Sequence, residues 1–188
     1  LSYVTDVYNR ALFRPAATAD DYLRAAMSRE HRKDVRRRTK RLTDAGPTQY
    51  TRLTAEEDLD RCLEEFLQLE QAGWKGKLGG ALASSDANRC YFLTTAKEAW
   101  RRGRLMMLAL NHDGRVIAQK CNFLAADGSF AFKIAYDEAY ARYSPGFLLE
   151  IENIRRLHDA PDIRWMDSCA VPDHPMINRL WPDRRTIQ

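Results

Sequence analysis

The chain has 188 residues, of which 45% are hydrophobic, and its formal net charge is +4 at pH 7. This length suffices for one sizeable core, whereas no apolar run approaches the roughly 20 residues that span a bilayer, so no transmembrane helix is expected. The four cysteines are scattered without a Cys-x-x-Cys pair or a histidine at metal-ligand spacing, and no secretory leader pattern opens the sequence. We therefore expect a reduced, cytoplasmic protein without a metal site. Because the chain begins at Leu1 rather than Met, we also expect an upstream portion to be missing.

The N-terminal part, residues 1–46, is dominated by one predicted helix over residues 19–45, which Gly46-Pro47 ends. Between Arg29 and Arg41 this helix carries eight Lys and Arg residues against two acids, so the basic character of the chain belongs to one segment. Such a face can bind an RNA backbone, an anionic membrane surface or a phosphorylated sugar carrier. A simply solvated helix face is the alternative that we favour, because no aromatic residue is interleaved to stack on bases.

The next segment predicts a short strand and two helices. The strand covers residues 49–53, and a capping box of Thr54 and Glu57 is expected to start a helix that runs to a glycine-rich loop at residues 74–80. A further amphipathic helix follows over residues 86–102.

The pattern then changes from helix to sheet. Three strands are expected over residues 104–110, 116–124 and 129–136, joined by turns at Asp113-Gly114 and Asp127-Gly128. A helix that starts at Ser144, a strand over residues 163–167 and a short helix over residues 174–181 complete the chain. The order β-α-α-β-β-β-α-β-α predicts an α+β domain over residues 47–188, with a mixed, mainly antiparallel sheet flanked by helices.

The start of the helix at Ser144-Pro145-Gly146 is the first candidate site. Ser144 is expected to be the N-cap, Pro145 loses no hydrogen bond at the first helical position, and Gly146 leaves the first turn open. Because a strand leads into this turn, free backbone N–H groups and the positive helix end meet at one point, which favours phosphate binding. An ordinary well-capped helix is the alternative.

Lys133 is the second candidate. Large apolar side chains alternate along its strand, at Phe130, Phe132, Ile134 and Tyr136, so Lys133 is expected on the opposite face with Ala131 and Ala135. The small neighbours leave space for a ligand, and the ammonium group could hold an anion or stabilise a developing oxyanion. A solvated strand face, or an ion pair with Asp137 or Asp167, is the alternative.

Candidate proton carriers are Asp137, Asp167 and His174. Acyl transfer to an amine or hydroxyl needs a base, and Asp167 ends a buried-looking strand, where burial would raise its pKa towards a useful range. The alternatives are that Asp167 caps the turn at Ser168-Cys169 and that His174 is a structural residue beside a helix start. Cys169 is a weaker candidate, since nothing in the sequence shows a stabilised thiolate.

The predicted order of elements resembles the GNAT acyltransferase fold. In that family the turn between the fourth strand and the third helix holds the pyrophosphate of coenzyme A. Here Arg142-Tyr143-Ser144-Pro145-Gly146-Phe147 occupies that position, with one residue more between Arg and Gly than the family pattern and with Phe147 at its second small position. The resemblance implies that Arg142, Tyr143, Ser144 and Gly146 bind the donor, with no cofactor bound permanently.

More specifically, several segments resemble the acyltransferase branch related to FemAB peptidyltransferases and to proteins of bacterial cellulose or exopolysaccharide biosynthesis. They are residues 28–37, the run Glu70-Gln71-Ala72-Gly73-Trp74-Lys75-Gly76, and residues 133–149 and 167–177. The resemblance implies transfer of an acyl group from acyl-CoA or an acyl carrier to an amine or hydroxyl of a glycan or metabolite. Lys133 with Asp137 or Asp167 would then be catalytic, and the acceptor would be bound by Trp74, Lys75, Tyr136 and His174.

Two alternatives follow from the same resemblance. One is a FemAB-like peptidyltransferase that uses aminoacyl-tRNA, with the tRNA on the basic helix at Arg29–Arg41; the other is a non-catalytic unit of a polysaccharide-synthesis complex. The family usually adds two strands after the last helix, and residues 184–188 could begin one of them.

Overall fold

The computed structural model describes residues 7–187, and their helices and strands follow closely from the sequence pattern. The helices are α1 (Ala19–Ala26), α2 (Arg29–Ala45), α3 (Leu59–Ala72), α4 (Trp74–Lys77), α5 (Asp86–Arg101) and α6 (Pro145–His158). The strands are β1 (Tyr8–Phe13), β2 (Thr48–Arg52), β3 (Leu105–His112), β4 (Arg115–Ala125), β5 (Gly128–Tyr136), β6 (Trp165–Asp167) and β7 (Asp183–Ile187). Short 3₁₀ turns lie at Glu56–Asp58, Leu82–Ser84, Glu138–Tyr143 and Ile177–Arg179.

The strands of the described residues form a 7-stranded sheet in the order β2-β3-β4-β5-β6-β1-β7. Strands β2 to β5 are antiparallel neighbours, whereas β6 is parallel to β5 and pairs with it only from Gly128 to Phe130. Beyond Phe130 the two strands therefore separate. The predicted mixed, mainly antiparallel sheet with flanking helices is confirmed.

Helices cover both faces of the sheet and divide its core into two clusters. On one face, α1 and α6 pack with residues such as Leu149 and Met166. On the other face, α3 and α5 pack with residues such as Phe66 and Met107. Strand β5 contributes to both clusters, with Ala131 in the first and Ala135 in the second.

The predicted helix over residues 19–45 is wrong in one respect, because it is two helices. Met27 is extended, with φ −120° and ψ 138°, and its side chain is buried. The Ser28 hydroxyl then accepts a hydrogen bond from His31 N and starts α2 as an N-cap. The break between α1 and α2 thus places the Met27 side chain in the core.

Three smaller predictions are also corrected. The capping box at Thr54 and Glu57 is wrong, since a 3₁₀ turn at Glu56–Asp58 precedes α3 without a side-chain cap. The loop at residues 74–80 contains the short helix α4, and the helix expected over residues 174–181 is only the 3₁₀ turn Ile177–Arg179.

Two turns join the central strands, and only one follows the predicted chemistry. Asp113 and Gly114 have positive φ values of 49° and 73°, as an Asp-Gly hairpin turn requires. In the next turn the left-handed residue is Ala126, while Gly128 already belongs to β5. A Cβ on Gly128 would lie 2.1 Å from the Trp165 ring, so this glycine serves the packing of β6 on β5.

The two strands at the far side of the sheet come from opposite ends of the described chain. β1 was not predicted, and it pairs antiparallel with both β6 and β7. The expected strand at residues 184–188 corresponds to β7. The division at residue 46 stays a prediction, although β1 belongs to the same sheet as the later strands. Within residues 7–187, no helix combines the length and the apolar character that crossing a membrane would need.

Candidate active site

A β-bulge in β5 determines which of its side chains face α1 and α6 and which face α3 and α5. Cys121 pairs with Lys133 but Asn122 pairs with Ala131, so Phe132 is an extra residue in the ladder. The predicted common face of the large side chains is therefore wrong. Phe132 packs with the α3 and α5 cluster, whereas Ile134 and Tyr136 pack with the α6 cluster. Lys133 keeps Ala135 as a neighbour on its face, and Ala131 moves to the other face.

After the bulge, the edge of β5 that β6 has left becomes available. The carbonyl oxygen of Ile134 accepts a hydrogen bond from Lys75 Nζ at 3.1 Å, so this residue directs its polar backbone away from β4. Because the N–H and C=O of one strand residue point to the same side, the Ile134 N–H faces the same edge. The Ile134 N–H can thus donate a hydrogen bond to a ligand that lies between β5 and β6.

A cavity of about 740 Å³ opens at this edge. Helix α2 forms one wall with His31, Asp34, Val35 and Arg38. The other walls include most residues predicted to bind donor or acceptor, namely Trp74, Lys75, Tyr136, Ser144, Gly146 and His174. Its volume lies in the range of small-molecule sites, about 300–1,000 Å³. The fold therefore gathers residues from distant segments around one space.

Ser144 stands at the N-terminus of α6 but does not cap it with its side chain. Its backbone is left-handed, with φ 54° and ψ 55°, because the 3₁₀ turn Glu138–Tyr143 runs directly into α6. Ser144 thus occupies the predicted N-cap position, but its left-handed backbone makes no side-chain capping hydrogen bond. Pro145 is found at the first helical position as expected. The Ser144 hydroxyl instead accepts a hydrogen bond from the Arg38 guanidinium.

Arg142 and Tyr143, also predicted to bind the donor, lie elsewhere. The Arg142 guanidinium is stacked over the Tyr143 ring, 4.7 Å from its centroid, and Arg142 is exposed. Tyr143 is buried in the α6 cluster. Neither residue is among those that line the cavity. Their donor-binding role stays a prediction that this placement does not support.

Beneath the cavity, Glu70 holds two lysines. Its side chain is fully buried, and Oε1 accepts a hydrogen bond from Lys133 Nζ at 2.7 Å. Lys75 Nζ lies 3.5 Å from the same oxygen, and Oε2 accepts a hydrogen bond from Leu82 N at 2.8 Å. The expected counterions of Lys133, Asp137 and Asp167, are thus replaced by Glu70. Burial lowers the pKa of Lys75, and the charge of Lys133 lowers it further.

Two histidines contribute to the cavity walls. Burial lowers the pKa of His174, with a smaller lowering from Lys75, and its Nδ1 accepts a hydrogen bond from Ile177 N at 3.3 Å. The neutral tautomer therefore carries its proton on Nε2 and acts as a hydrogen-bond donor there. Burial also lowers the pKa of His31, followed by the charge of Arg179, and its ring centroid lies 5.1 Å from that of Phe147.

The predicted bases Asp137 and Asp167 lie outside the cavity walls. Asp137 accepts a hydrogen bond from Ala139 N at 2.9 Å and lines a neighbouring cavity of about 560 Å³. Asp167 is only 1% exposed, accepts a hydrogen bond from Cys169 N at 2.8 Å and lies 3.6 Å from Arg10. Both carboxylates thus hold turns, and their catalytic roles stay predictions. Burial raises the pKa of Cys169, which disfavours its thiolate. Among the described residues, no cluster of three or more His, Cys, Asp and Glu side chains is arranged to hold a metal ion.

Sequence reasoning missed Glu70 and Arg38. The signal for Glu70 was present, because it follows Leu63, Phe66 and Leu67 at helical spacing and so occupies a core position of α3. An acid at such a position requires a buried partner. Arg38 follows Val35 by one turn of α2, on the side that faces the cavity.

Solved structures share this fold at low sequence identity. FemX superposes with a TM-score of 0.63 at 12% identity, covering 95% of this chain and 59% of that chain. A conserved protein of unknown function from Bacteroides thetaiotaomicron gives 0.62 at 12% identity, covering 92% and 53%. The C-terminal domain of a putative lysylphosphatidylglycerol synthetase from Agrobacterium fabrum gives 0.57 at 13% identity, covering 89% and 49%. The chain thus spans about half the length of these proteins, and the likeness concerns the fold.

A search of curated proteins finds no match to this sequence. The family model described as "Acetyltransferase (GNAT) domain" matches residues 29–174. That stretch includes α2, α4, β5, the start of α6 and His174, which form the walls of the cavity. The fold and the sequence agree: the chain belongs to the acetyltransferase (GNAT) domain family.

Proposed function

We propose that this domain is an acyltransferase whose thioester donor occupies the cavity between α2 and the start of α6. One observation carries the proposal: the same cavity of about 740 Å³ is lined by Ser144 and Gly146 and by Ile134 and Tyr136. The first pair lies at a helix N-terminus, which favours an anion, and the second lies at the open strand edge, which favours a carbonyl group.

The walls of the cavity suit a thioester donor that carries phosphate groups. Arg38 and Arg179 bring positive charge to the cavity, and the first turn of α6 adds backbone N–H groups. A Cβ built on Gly146 would meet only ordinary contacts, 3.4 Å from Tyr136 Cδ1 and 3.7 Å from Ile134 Cδ1. Space therefore remains at the first turn, and the residues present fit coenzyme A or the phosphopantetheine arm of an acyl carrier.

In the transfer, the acceptor attacks the thioester carbonyl while the thiol leaves. The Ile134 N–H at the open edge is the group that would stabilise the developing oxyanion. Trp74, which is 52% exposed at the cavity rim, offers an aromatic face to the acceptor. Such a ring packs against sugars through its apolar face, so we propose an amine or hydroxyl of a glycan as acceptor, in exopolysaccharide or cell-envelope biosynthesis.

The experiment is a thiol-release assay with acetyl-CoA and longer acyl-CoAs, supplied with amino sugars, neutral glycans and simple amines. We expect thiol release that depends on both the acyl donor and one class of acceptor. Absence of release with every pair, from folded protein, would contradict the proposal.

A second candidate is an aminoacyl-tRNA donor, and the two faces of α2 favour it. One face lines the cavity with His31 and Arg38. The other exposes basic residues at intervals of three or four, Arg29, Lys33, Arg36 and Lys40, one of which pairs with Asp44. A polyanion on the outer face could place its end in the cavity.

This candidate predicts tRNA binding that weakens steeply as salt rises, because released counterions dominate such affinity. Replacing Lys33 and Arg36 by glutamate should abolish the binding, whereas the same changes at Arg101 and Arg102, exposed at the end of α5, should not. A flat salt response would count against an aminoacyl-tRNA donor.

A further inference from the structure

Lys75 is held in a way that leaves one direction of its amine unused by the protein contacts described above. Its Nζ donates to Ile134 O at 3.1 Å and lies 3.5 Å from Glu70 Oε1. An ammonium group has three N–H bonds, and a neutral amine has two and a lone pair. With two directions fixed by these oxygens, the third is left for the cavity that Lys75 lines together with Trp74, whose ring centroid lies 5.9 Å from Nζ.

The charges around Lys75 do not balance. Glu70 is fully buried and already bound at 2.7 Å by Lys133, so one carboxylate faces two lysines. Leu82 N occupies its other oxygen. Among the described residues, one carboxylate therefore serves two lysines, which favours a neutral amine at Lys75, the lysine with the longer contact to Glu70.

From this geometry we infer that Lys75 is the general base of the acyl transfer and that Lys133 is a positioning residue acting through Glu70. The inference rests on the proposed function. The lone pair of Lys75 takes the proton of the attacking amine or hydroxyl as the new bond to the carbonyl carbon forms. The C–S bond then breaks, and the proton passes from Lys75 to the leaving thiolate. Ester or amide and free thiol are the products, with no other reactant.

The surroundings of the Lys75 amine agree with this role. The charged and titratable groups that face it are Glu70 from α3, Lys133 from β5 and His174 from the segment after β6. Burial is the largest effect and lowers the pKa of Lys75, Glu70 raises it, and Lys133 lowers it. The net lowering brings the amine closer to neutral pH, where a base is effective.

Titration of the lysine side chains tests the inference without a substrate. Protein labelled with ¹³C-lysine is followed by NMR between about pH 6 and pH 11. The signal that disappears in Lys75→Arg should titrate at lower pH than the signal that disappears in Lys77→Arg. Lys77 is a matched control because it lies on the same short helix, is exposed and pairs with Glu138. Lys133→Met should move the Lys75 titration to higher pH. A Lys75 signal that titrates with the exposed lysines would overturn the inference.

The assay of thiol release then tests the chemistry. Lys75→Arg keeps the charge and can donate to the same oxygens but cannot give up its proton, so turnover should fall by about 100-fold or more. Lys133→Met should shift the acidic limb of the pH–rate profile upward, and Lys77→Arg should match wild type. Wild-type turnover in Lys75→Arg would overturn the inference while the proposed function stands. No turnover in wild type, with any donor and acceptor, would instead refute the proposed function on which the inference rests.

Discussion

The Arg38 guanidinium donates a hydrogen bond to the Ser144 hydroxyl and thereby joins α2 to the residue that directly precedes α6. Arg38 also binds Asp34 with its Nε at 2.7 Å, which fixes the side chain along the cavity wall. One face of the basic helix is thus part of the site, and only the opposite face corresponds to the expected solvated surface.

Arg38→Ala should weaken the binding of coenzyme A. The change removes a positive charge from beside the α6 N-terminus, and a charge-assisted hydrogen bond contributes about 1.5–3 kcal/mol, so affinity should fall about tenfold or more. Isothermal titration measures the dissociation constant. Arg142→Ala is the matched control, because Arg142 is exposed and stacks on Tyr143. Equal losses in the two variants would show that both arginines bind the donor, as the sequence resemblance implied.

Lys133→Ala should destabilise the fold as well as reduce turnover. Without Lys133, the fully buried Glu70 keeps only Lys75 at 3.5 Å and Leu82 N as partners. A buried acceptor that loses a partner costs about 1–3 kcal/mol of the free energy of unfolding, which urea denaturation measures. Lys77→Ala, which breaks a surface pair with Glu138, should lower the free energy of unfolding much less. Similar losses in both variants would contradict the buried arrangement of Glu70.

Alkaline solution should destabilise the protein. Burial raises the pKa of Cys62 to about 11 and that of Tyr50 to about 12. Each group then keeps its proton when folded and loses it when unfolded, so the stability it confers is full below its unfolded pKa and is lost as the pH rises through the folded value. For Cys62, whose ordinary pKa is 9.0, that window is about pH 9 to 11.

Urea unfolding at about pH 8 and pH 10.5 tests this sign. The free energy of unfolding should be lower at the higher pH, and Cys62→Ala should show a smaller loss because one titrating thiol is gone. Lys75 acts in the opposite direction. Because its pKa is lowered in the folded state, its contribution to the free energy of unfolding increases as the pH rises towards the ordinary lysine pKa of 10.5. An undiminished loss in Cys62→Ala would contradict the burial of this thiol.

The central strands could be predicted because their signals are local. A continuous apolar run at residues 105–110 and the Asp113-Gly114 turn define the hairpin of β3 and β4, and α6 begins at a Ser-Pro-Gly sequence. β1 escaped prediction because its partners, β6 and β7, lie at the other end of the chain. Its hydrophobic pattern alone did not distinguish a strand from an irregular segment.

The site was predictable in part for the same reason. Residues such as Trp74, Ser144 and His174 occur in recognisable turns, and all three line the cavity. The contacts that organise it join residues far apart, since the residue numbers of Lys133 and Glu70 differ by 63 and those of Arg38 and Ser144 by 106. The bulge at Phe132 is a further feature that strand alternation does not reveal.

Thermal unfolding with coenzyme A is the most direct measurement of whether a thioester donor binds at the start of α6. At about 100 times the dissociation constant, a ligand of the native state adds about 2.7 kcal/mol, which for a chain of this size raises Tm by roughly 5–10 °C. Gly146→Ala should keep the shift, because its Cβ meets only ordinary contacts, the nearest 3.4 Å from Tyr136. Gly146→Val should abolish it, since a branched side chain closes the gap between α6 and β5. An unchanged Tm of the wild-type protein with millimolar coenzyme A or acetyl-CoA, or a full shift in Gly146→Val, would contradict donor binding at this position.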